Sequence, residues 1–172
     1  LATISPQNAG QVTQQARWGR GMIREIAQSA DGKTLAVATT LGIDLYDAET
    51  LQPLRSIEIG AAVLSVALAR DGVVLAAGLS NGTVQLYRLA DGTLLRTLLG
   101  HGDYVLAVAW SPDGKLLASG SGDSTVRLWR VSDGTLLYTL LGHTAAVWPV
   151  AFAPDGATLA SGSLDNSVRI WR

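Results

Sequence analysis

The chain has 172 residues, of which 48% are hydrophobic and 16% are charged, and its formal net charge is −1. This length and apolar content suit one globular domain, and the near-neutral charge argues against a nucleic-acid or membrane partner. The absence of cysteine excludes disulfides and cysteine-ligated zinc, and no apolar run reaches the length of a membrane span. These features leave the compartment open, with the cytoplasm favoured.

A repeat of about 42 residues organises the chain. Asp-Gly pairs follow one another at steps of 40, 42 and 42 residues, beginning at Asp31, Asp71, Asp113 and Asp155. An aromatic residue closes each unit at steps of 41, 42 and 42, at Tyr46, Tyr87, Trp129 and Trp171. Because two unrelated markers keep one period, we interpret the chain as four consecutive units.

Residues 104–140 show the pattern inside one unit. Four short runs rich in β-forming residues, YVLAVAW, KLLASGS, TVRLWR and TLLYTLL, are separated by the turn sequences SPDG, GDS and VSDG. Turn residues every eight to twelve positions predict an all-β fold with essentially no helix. Four strands in about 42 residues correspond to one blade of a β-propeller.

Residues 100–130 and 142–172 resemble WD40 repeats. Each segment has a Gly-His opening, a Pro-Asp-Gly turn, a Ser-Gly-Ser strand and a closing tryptophan, although Arg130 and Arg172 replace the usual aspartate that follows it. The resemblance covers residues 17–172 and implies an all-β propeller of four four-stranded blades in a single domain, 1–172. The expected boundaries are a closing strand at about 9–18 and blades at about 19–58, 59–99, 100–141 and 142–172.

The resemblance also implies a structural hydrogen-bonded tetrad in each of the last two units. The two sets are His101, Ser119, Asp123 and Trp129, and His143, Ser161, Asp165 and Trp171. A buried indole N–H needs an acceptor, a serine hydroxyl supplies one, and an imidazole can link that serine to the aspartate. The earlier units lack the set and carry Ile59, Ala77, Asn81 and Tyr87, or Gly19, Ala36, Thr40 and Tyr46.

A Ser, a His and an Asp in one unit could also indicate a hydrolase triad. The trio recurs at the same spacing in two units, each time with its tryptophan, which favours the structural interpretation. The chain has only two histidines, so none remains for a metal or a general base. We therefore predict a protein that is not an enzyme, with no catalytic residue, no cofactor and no metal.

The two ends of the sequence suggest how the ring closes. Residues 9–21 align with 90–102, so the chain begins with a fourth strand and stops after the third strand of its last unit. Rings of WD40 repeats usually hold six to eight blades, and four are too few. We predict a homodimer that completes an eight-bladed ring by exchanging N-terminal strands. A lone four-bladed ring and a piece of a longer repeat array are the alternatives.

The resemblance implies a non-catalytic scaffold that binds an unknown protein or peptide partner on one face of the propeller. The candidate binding face comprises Met22, Arg24, Leu64, Tyr104, Leu106, Trp148 and Leu164, and the matching turn positions are Thr39, Ser80, Gly122 and Leu164. Exposed aromatic residues are typical binding anchors. The alternatives are a propeller that binds a small molecule or glycan, and an engineered or truncated propeller with no present partner.

Overall fold

The computed structural model describes Ser5, Ala9 and residues 20–172, in which the regular elements are fifteen β-strands. The first sheet contains β1 (Ile23–Gln28), β2 (Thr34–Thr39), β3 (Gly42–Asp47) and β4 (Pro53–Glu58). The second contains β5 (Val63–Leu68), β6 (Val74–Leu79), β7 (Val84–Arg88) and β8 (Leu94–Leu98). The third contains β9 (Val105–Trp110), β10 (Leu116–Ser121), β11 (Val126–Arg130) and β12 (Leu136–Leu140). The fourth contains β13 (Val147–Phe152), β14 (Leu159–Ser163) and β15 (Val168–Trp171).

Each sheet is an antiparallel meander in which neighbouring strands follow chain order. The first three sheets have four strands, and the fourth has three among the described residues. The closing strand predicted at about 9–18 lies, apart from Ala9, outside the described residues. The all-β prediction is confirmed. No helix in the described part of the chain is long and apolar enough to span a membrane.

The Asp-Gly turns join the first and second strands of each sheet. In the third sheet Gly114 has a φ of 71°, a left-handed conformation that glycine adopts without the strain of a side chain. The Asp113 carboxylate accepts hydrogen bonds from the Ser111 hydroxyl at 2.7 Å and from the Lys115 amide at 3.1 Å. These local bonds make the hairpin a property of its own sequence.

The hydrophobic core lies between the sheets rather than within any one of them. The first interface contains Ile43 and Leu45 from the first sheet and Val63, Val66 and Leu75 from the second. The second interface contains Val84 and Leu86 from the second sheet and Val105, Val108 and Leu117 from the third. The third contains Ala118 and Val126 from the third sheet and Val147, Val150 and Leu159 from the fourth.

The first strands of consecutive sheets lie side by side, β1 against β5, β5 against β9 and β9 against β13. Hydrogen bonds cross two of these interfaces: the Val66 amide donates to the Glu25 carboxylate at 2.8 Å, and the Trp110 indole donates to the Ala67 carbonyl at 3.0 Å. No comparable contact joins β1 to β13. The four sheets therefore form an open series in chain order.

Candidate functional site

The third sheet brings the four predicted tetrad residues into one hydrogen-bonded chain. The Trp129 indole donates to the Ser119 hydroxyl oxygen at 2.8 Å, and that oxygen lies 2.8 Å from His101 Nε2. His101 Nδ1 lies 2.8 Å from an Asp123 carboxylate oxygen. When the Ser119 hydroxyl donates a hydrogen bond to Nε2 and the Nδ1–H group donates one to the carboxylate, the neutral imidazole satisfies both neighbours. This series of hydrogen bonds links β10 and β11 to the segment that precedes β9.

The surroundings of the third-sheet tetrad fix its protonation. Burial lowers the pKa of His101 below its usual value, more than the Asp123 carboxylate raises it. Burial alone would raise the pKa of Asp123, but hydrogen bonds from Thr125, the Gly102 amide and His101 lower it to about 2. The tetrad therefore holds a neutral histidine next to an ionised aspartate near neutral pH.

The fourth sheet repeats this geometry with a more exposed tryptophan. Trp171 donates to Ser161 at 2.9 Å, Ser161 lies 2.9 Å from His143 Nε2, and His143 Nδ1 lies 2.8 Å from Asp165. The Ser167 hydroxyl also donates a hydrogen bond to Asp165 at 2.6 Å. Of the hydrogen bonds that lower the pKa of the Asp165 carboxyl, this one has the largest effect. Trp171 is half-buried, whereas Trp129 is fully buried in the third sheet.

Ser119, His101 and Asp123 are connected in the same order as a hydrolase triad. Ser119 is nevertheless 0% exposed, and its oxygen already accepts the Trp129 indole proton, so no substrate carbonyl can approach it. The geometry of the tetrad links strands and offers no reacting atom to solvent. Across the residues that the structure describes, no cluster of three His, Asp or Glu side chains is placed to hold a metal ion.

In the second sheet a single hydrogen bond between two side chains stands in place of the tetrad. Tyr87 occupies the position of the tryptophan, and its hydroxyl donates to the Gln85 side-chain oxygen. Burial raises the pKa of Tyr87 above its usual value. Ala77 stands at the serine position, while the Asn81 side chain still accepts hydrogen bonds from the backbone and hydroxyl of Thr83. The hairpin part of the motif thus persists without the histidine.

The first sheet corrects the alignment expected from the sequence. Its β2–β3 hairpin pairs Thr39 with Gly42 and is one residue shorter than the hairpins of the other sheets. Val37 therefore lies across from Asp44 as Ser119 lies across from Arg127, so the residue at the serine position is Val37 and not Ala36.

Asp44 forms a different polar contact in the first sheet. Its carboxylate accepts a hydrogen bond from the Ser56 hydroxyl at 2.6 Å and lies 3.5 Å from the Arg20 guanidinium. Arg20 also lies 3.9 Å from the exposed carboxylate of Glu58. The first sheet thus connects its third and fourth strands through side chains that the tetrad does not use.

One end of the sheets carries most of the predicted binding residues, and we call it the upper face. It consists of the loops that lead into β1, β5, β9 and β13, together with the hairpins between the second and third strands of each sheet. Backbone hydrogen bonds join the two parts: the Gly122 amide donates to the Tyr104 carbonyl and the Leu164 amide to the Ala146 carbonyl, each at 2.9 Å. In the first sheet the corresponding donor is Thr40, so the turn position is Thr40 and not the buried Thr39.

The structure separates the predicted binding residues by exposure. The exposed ones are Met22, Arg24, Tyr104, Trp148 and Leu164. Leu64 and Leu106 are half-buried and lie one residue inside their strands. The exposed residues lie on all but the second sheet and do not form one continuous set.

Three exposed leucines of the upper face were missed by the sequence reasoning. Leu99 and Leu141 occupy equivalent positions just before the Gly-His pairs, and Leu41 lies in the first hairpin. The sequence of β8 gave no signal for Leu99, because the first four residues of that strand are all exposed and only Leu98 is buried.

Comparisons with known proteins agree with this architecture. Residues 92–130 and 134–172 match the family model for WD40, described as WD domain, G-beta repeat. A search of curated proteins finds no match. The chain is similar to the crystal structure of RRP9 WD40 repeats, with a TM-score of 0.83 and 23% identity over 90% of this chain and 49% of that chain. It thus spans about half the length of that chain, and the likeness concerns the fold. The matched segments, residues 92–130 and 134–172, are therefore WD40 repeats, and the described residues share the fold of a WD40 propeller.

Proposed function

We propose that the chain is a non-catalytic platform that binds a protein or peptide through its upper face. WD40 repeats generally mediate protein–protein interaction. The observation that carries the proposal is the exposure of Tyr104 and Leu164 on a short loop and a hairpin held by backbone hydrogen bonds, and of Trp148 at the start of β13. Large apolar side chains on a rigid support are effective anchors, because little conformational entropy is lost when a partner covers them.

The variation between sheets favours one asymmetric partner over a repeated small ligand. In each sheet one loop residue accepts the backbone hydrogen bond from the hairpin, and these four residues are Met22, Ala62, Tyr104 and Ala146. A glycan-binding propeller that used one site per blade would carry similar polar and aromatic groups at these positions. Their differences support a single protein surface as the ligand.

The tetrads contribute to this function by stabilising the platform. Each connects neighbouring strands of one blade through buried hydrogen bonds, and a buried polar group left unpaired costs about 1–3 kcal/mol. The buried Ser119 and the indole that already occupies its oxygen support a structural role and no catalytic one.

A displayed library of random peptides tests the binding proposal directly. Selected peptides should bind the wild-type chain, and Tyr104→Ala or Trp148→Ala should reduce their affinity at least about tenfold, as expected when a buried anchor is truncated. Val73→Ala, an exposed apolar position at the opposite end of the second sheet, is the matched control. Enrichment that survives both upper-face substitutions would contradict the proposal, and selective binding on a glycan array would favour a lectin.

We also propose that two chains form an eight-bladed ring. The three described strands of the fourth sheet, its exposed edge strand and the match to about half of a WD40 chain support this assembly. In the proposed dimer, residues 9–18 of each chain add the fourth strand to the partner's last blade, which covers an edge that otherwise invites aggregation. Light scattering should give about twice 18.0 kDa, and deletion of residues 1–18 should weaken the dimer. A monomer at micromolar concentration would contradict the eight-bladed ring.

A further inference from the structure

The three interfaces inside the chain show what each face of a sheet is built to contact. The face turned towards the next sheet, which we call the trailing face, carries Val84 in the second sheet and Val126 in the third. The face turned towards the previous sheet, the leading face, carries Val105 in the third sheet. All three side chains are 0% exposed, since every internal leading face meets a trailing face.

The fourth sheet has the same trailing face, but its side chains are exposed. Val168 pairs with Gly162 as Val126 pairs with Gly120, and Ile170 follows two residues later. Val168 is 72% exposed and Ile170 is 62% exposed. The residues that form an interface core in the preceding sheets are therefore kept in the fourth and uncovered.

Glycine at this face allows the next inner strand to approach closely. A Cβ at Gly120 would lie 2.9 Å from the Val147 carbonyl and 3.1 Å from a Val150 methyl, both in the next sheet. A Cβ at Gly78 would lie 2.8 Å from a Val105 methyl and 3.0 Å from the Val105 carbonyl. Gly162 repeats this small residue on the trailing face of the fourth sheet, where the atom nearest to an added Cβ would be Pro149 Cδ of the same sheet, at 3.1 Å.

The first sheet has the complementary leading face. Ile23 and Ile26 stand three residues apart on β1, as Val147 and Val150 do on β13. Ile23 is 45% exposed and Ile26 is 60% exposed, whereas both valines are buried. Of the two charged side chains on the strand, Glu25 turns towards the second sheet and accepts a hydrogen bond from the Val66 amide, and Arg24 is exposed.

We propose that the leading face of one copy packs on the trailing face of a second copy, with Ile23 and Ile26 against Gly162 and Val168. This deepens the proposed eight-bladed ring by naming the interface that joins its halves. The contact is head-to-tail, and its rotation repeats that of the three internal interfaces. The observations favour a second copy because both faces reproduce the chemistry that the chain uses to join its own sheets.

Charge substitutions at the two faces test this interface. Ile26→Lys and Val168→Glu each place a charge against an apolar surface in the assembly but alter an exposed position of the protomer, so each should be monomeric with an unchanged β-type circular dichroism spectrum. Leu141→Glu, on an equally exposed leucine of the upper face, is the control and should remain dimeric. An equimolar mixture of the Lys and Glu variants should recover a species of about twice 18.0 kDa, because one joint is then wild-type and the other pairs Lys with Glu.

The outcomes separate the interface from the ring itself. If the wild-type chain is dimeric and both charged variants stay dimeric, the end-face contact is wrong, while the exchanged strand remains as the link. If the wild-type chain is monomeric, both the interface and the eight-bladed ring are wrong. Monomeric variants that do not recover on mixing would contradict the direct pairing of these two faces.

Discussion

The second and third sheets are flanked on both sides by other sheets, yet they hold their strands together differently. In the third, a tryptophan, a serine, a histidine and an aspartate form one continuous chain of hydrogen bonds. In the second, Tyr87 reaches only the side chain of Gln85 on its own strand. Both sheets keep their apolar faces. The hydrogen-bonded tetrad is complete in the third sheet and is replaced as a whole in the second.

The concerted replacement has a physical reason. Ala77 at the serine position removes both a donor and an acceptor, so the second sheet has no hydroxyl for an imidazole to satisfy. A buried network that lacks one member costs more than an apolar site without any, because the remaining groups have lost water and gained no partner. Substitutions in the two sheets should therefore differ strongly in their effect on the free energy of unfolding.

The largest effect is expected for His101→Ala. The change leaves the proton of the buried Ser119 hydroxyl without its acceptor, removes one of the hydrogen bonds to the Asp123 carboxylate and opens a cavity, so the free energy of unfolding should fall by about 2–4 kcal/mol. Urea denaturation followed by circular dichroism measures it. His143→Ala in the fourth sheet should cost about 1–3 kcal/mol, since that sheet is covered on one side only. A loss below about 1 kcal/mol for His101→Ala would contradict the difference expected between the third and second sheets.

Trp129→Phe should have the next largest effect, a loss of about 1–3 kcal/mol, because it removes the indole donor of a serine that is fully buried. Trp171→Phe is the matched variant in the fourth sheet and should cost less, since Trp171 is half-buried and water can replace the lost donor. The same denaturation assay applies to both variants. Equal losses would mean that exposure of the tetrad does not set its contribution.

Acid should weaken the third sheet in two steps. The pKa of His101 is lowered in the folded chain, so the unfolded chain binds more protons as the pH falls below 6.5, and stability decreases there. The pKa of Asp123 is lowered from 3.8 to about 2, so its contribution is present above about pH 4 and is lost as the pH falls towards 2. Denaturation midpoints of wild type and His101→Gln, measured from about pH 7 to about pH 5, test the first step. A variant with an undiminished slope would contradict it.

The smallest effect is expected for Tyr87→Phe. Its hydroxyl contacts Gln85, a half-buried side chain that can turn towards solvent, so the loss should stay below about 1 kcal/mol. Urea denaturation of Tyr87→Phe and Trp129→Phe under the same conditions gives the ratio of their losses in free energy of unfolding. A loss as large as that of Trp129→Phe would show that the second sheet depends on its polar contact as strongly as the third does.

The sequence predicted the all-β fold because the turn residues and the closing aromatics recur with one period. The resemblance to WD40 repeats implied the tetrads, and the hydrogen bonds of the third sheet join His101, Ser119 and Trp129 as that resemblance implies. The alignment of the first unit was wrong by one residue at Ala36. The step of 15 residues from Asp31 to Tyr46, against 16 in each later unit, shows that this segment is one residue shorter, but only the strand pairing shows that the missing residue lies in the β2–β3 hairpin.

Other features depend on packing that periodicity does not contain. The contact of Asp44 with Ser56 and Arg20 joins residues that have no repeat equivalent with the same chemistry. The exposure of Val168 and the burial of Val126 arise from identical side chains on equivalent strands. Only the neighbour of each sheet distinguishes them, and a local sequence pattern carries no information about that neighbour.

The most direct test of the tetrad as an all-or-none network transfers the residues of the second sheet into the third. The five changes are His101→Ile, Ser119→Ala, Asp123→Asn, Arg127→Gln and Trp129→Tyr. Urea denaturation of the combined variant and of the five single variants measures their free energies of unfolding. The combined loss should be smaller than the sum of the single losses by about 1–3 kcal/mol, because no buried group remains without a partner. A combined loss equal to that sum within about 0.5 kcal/mol would contradict it.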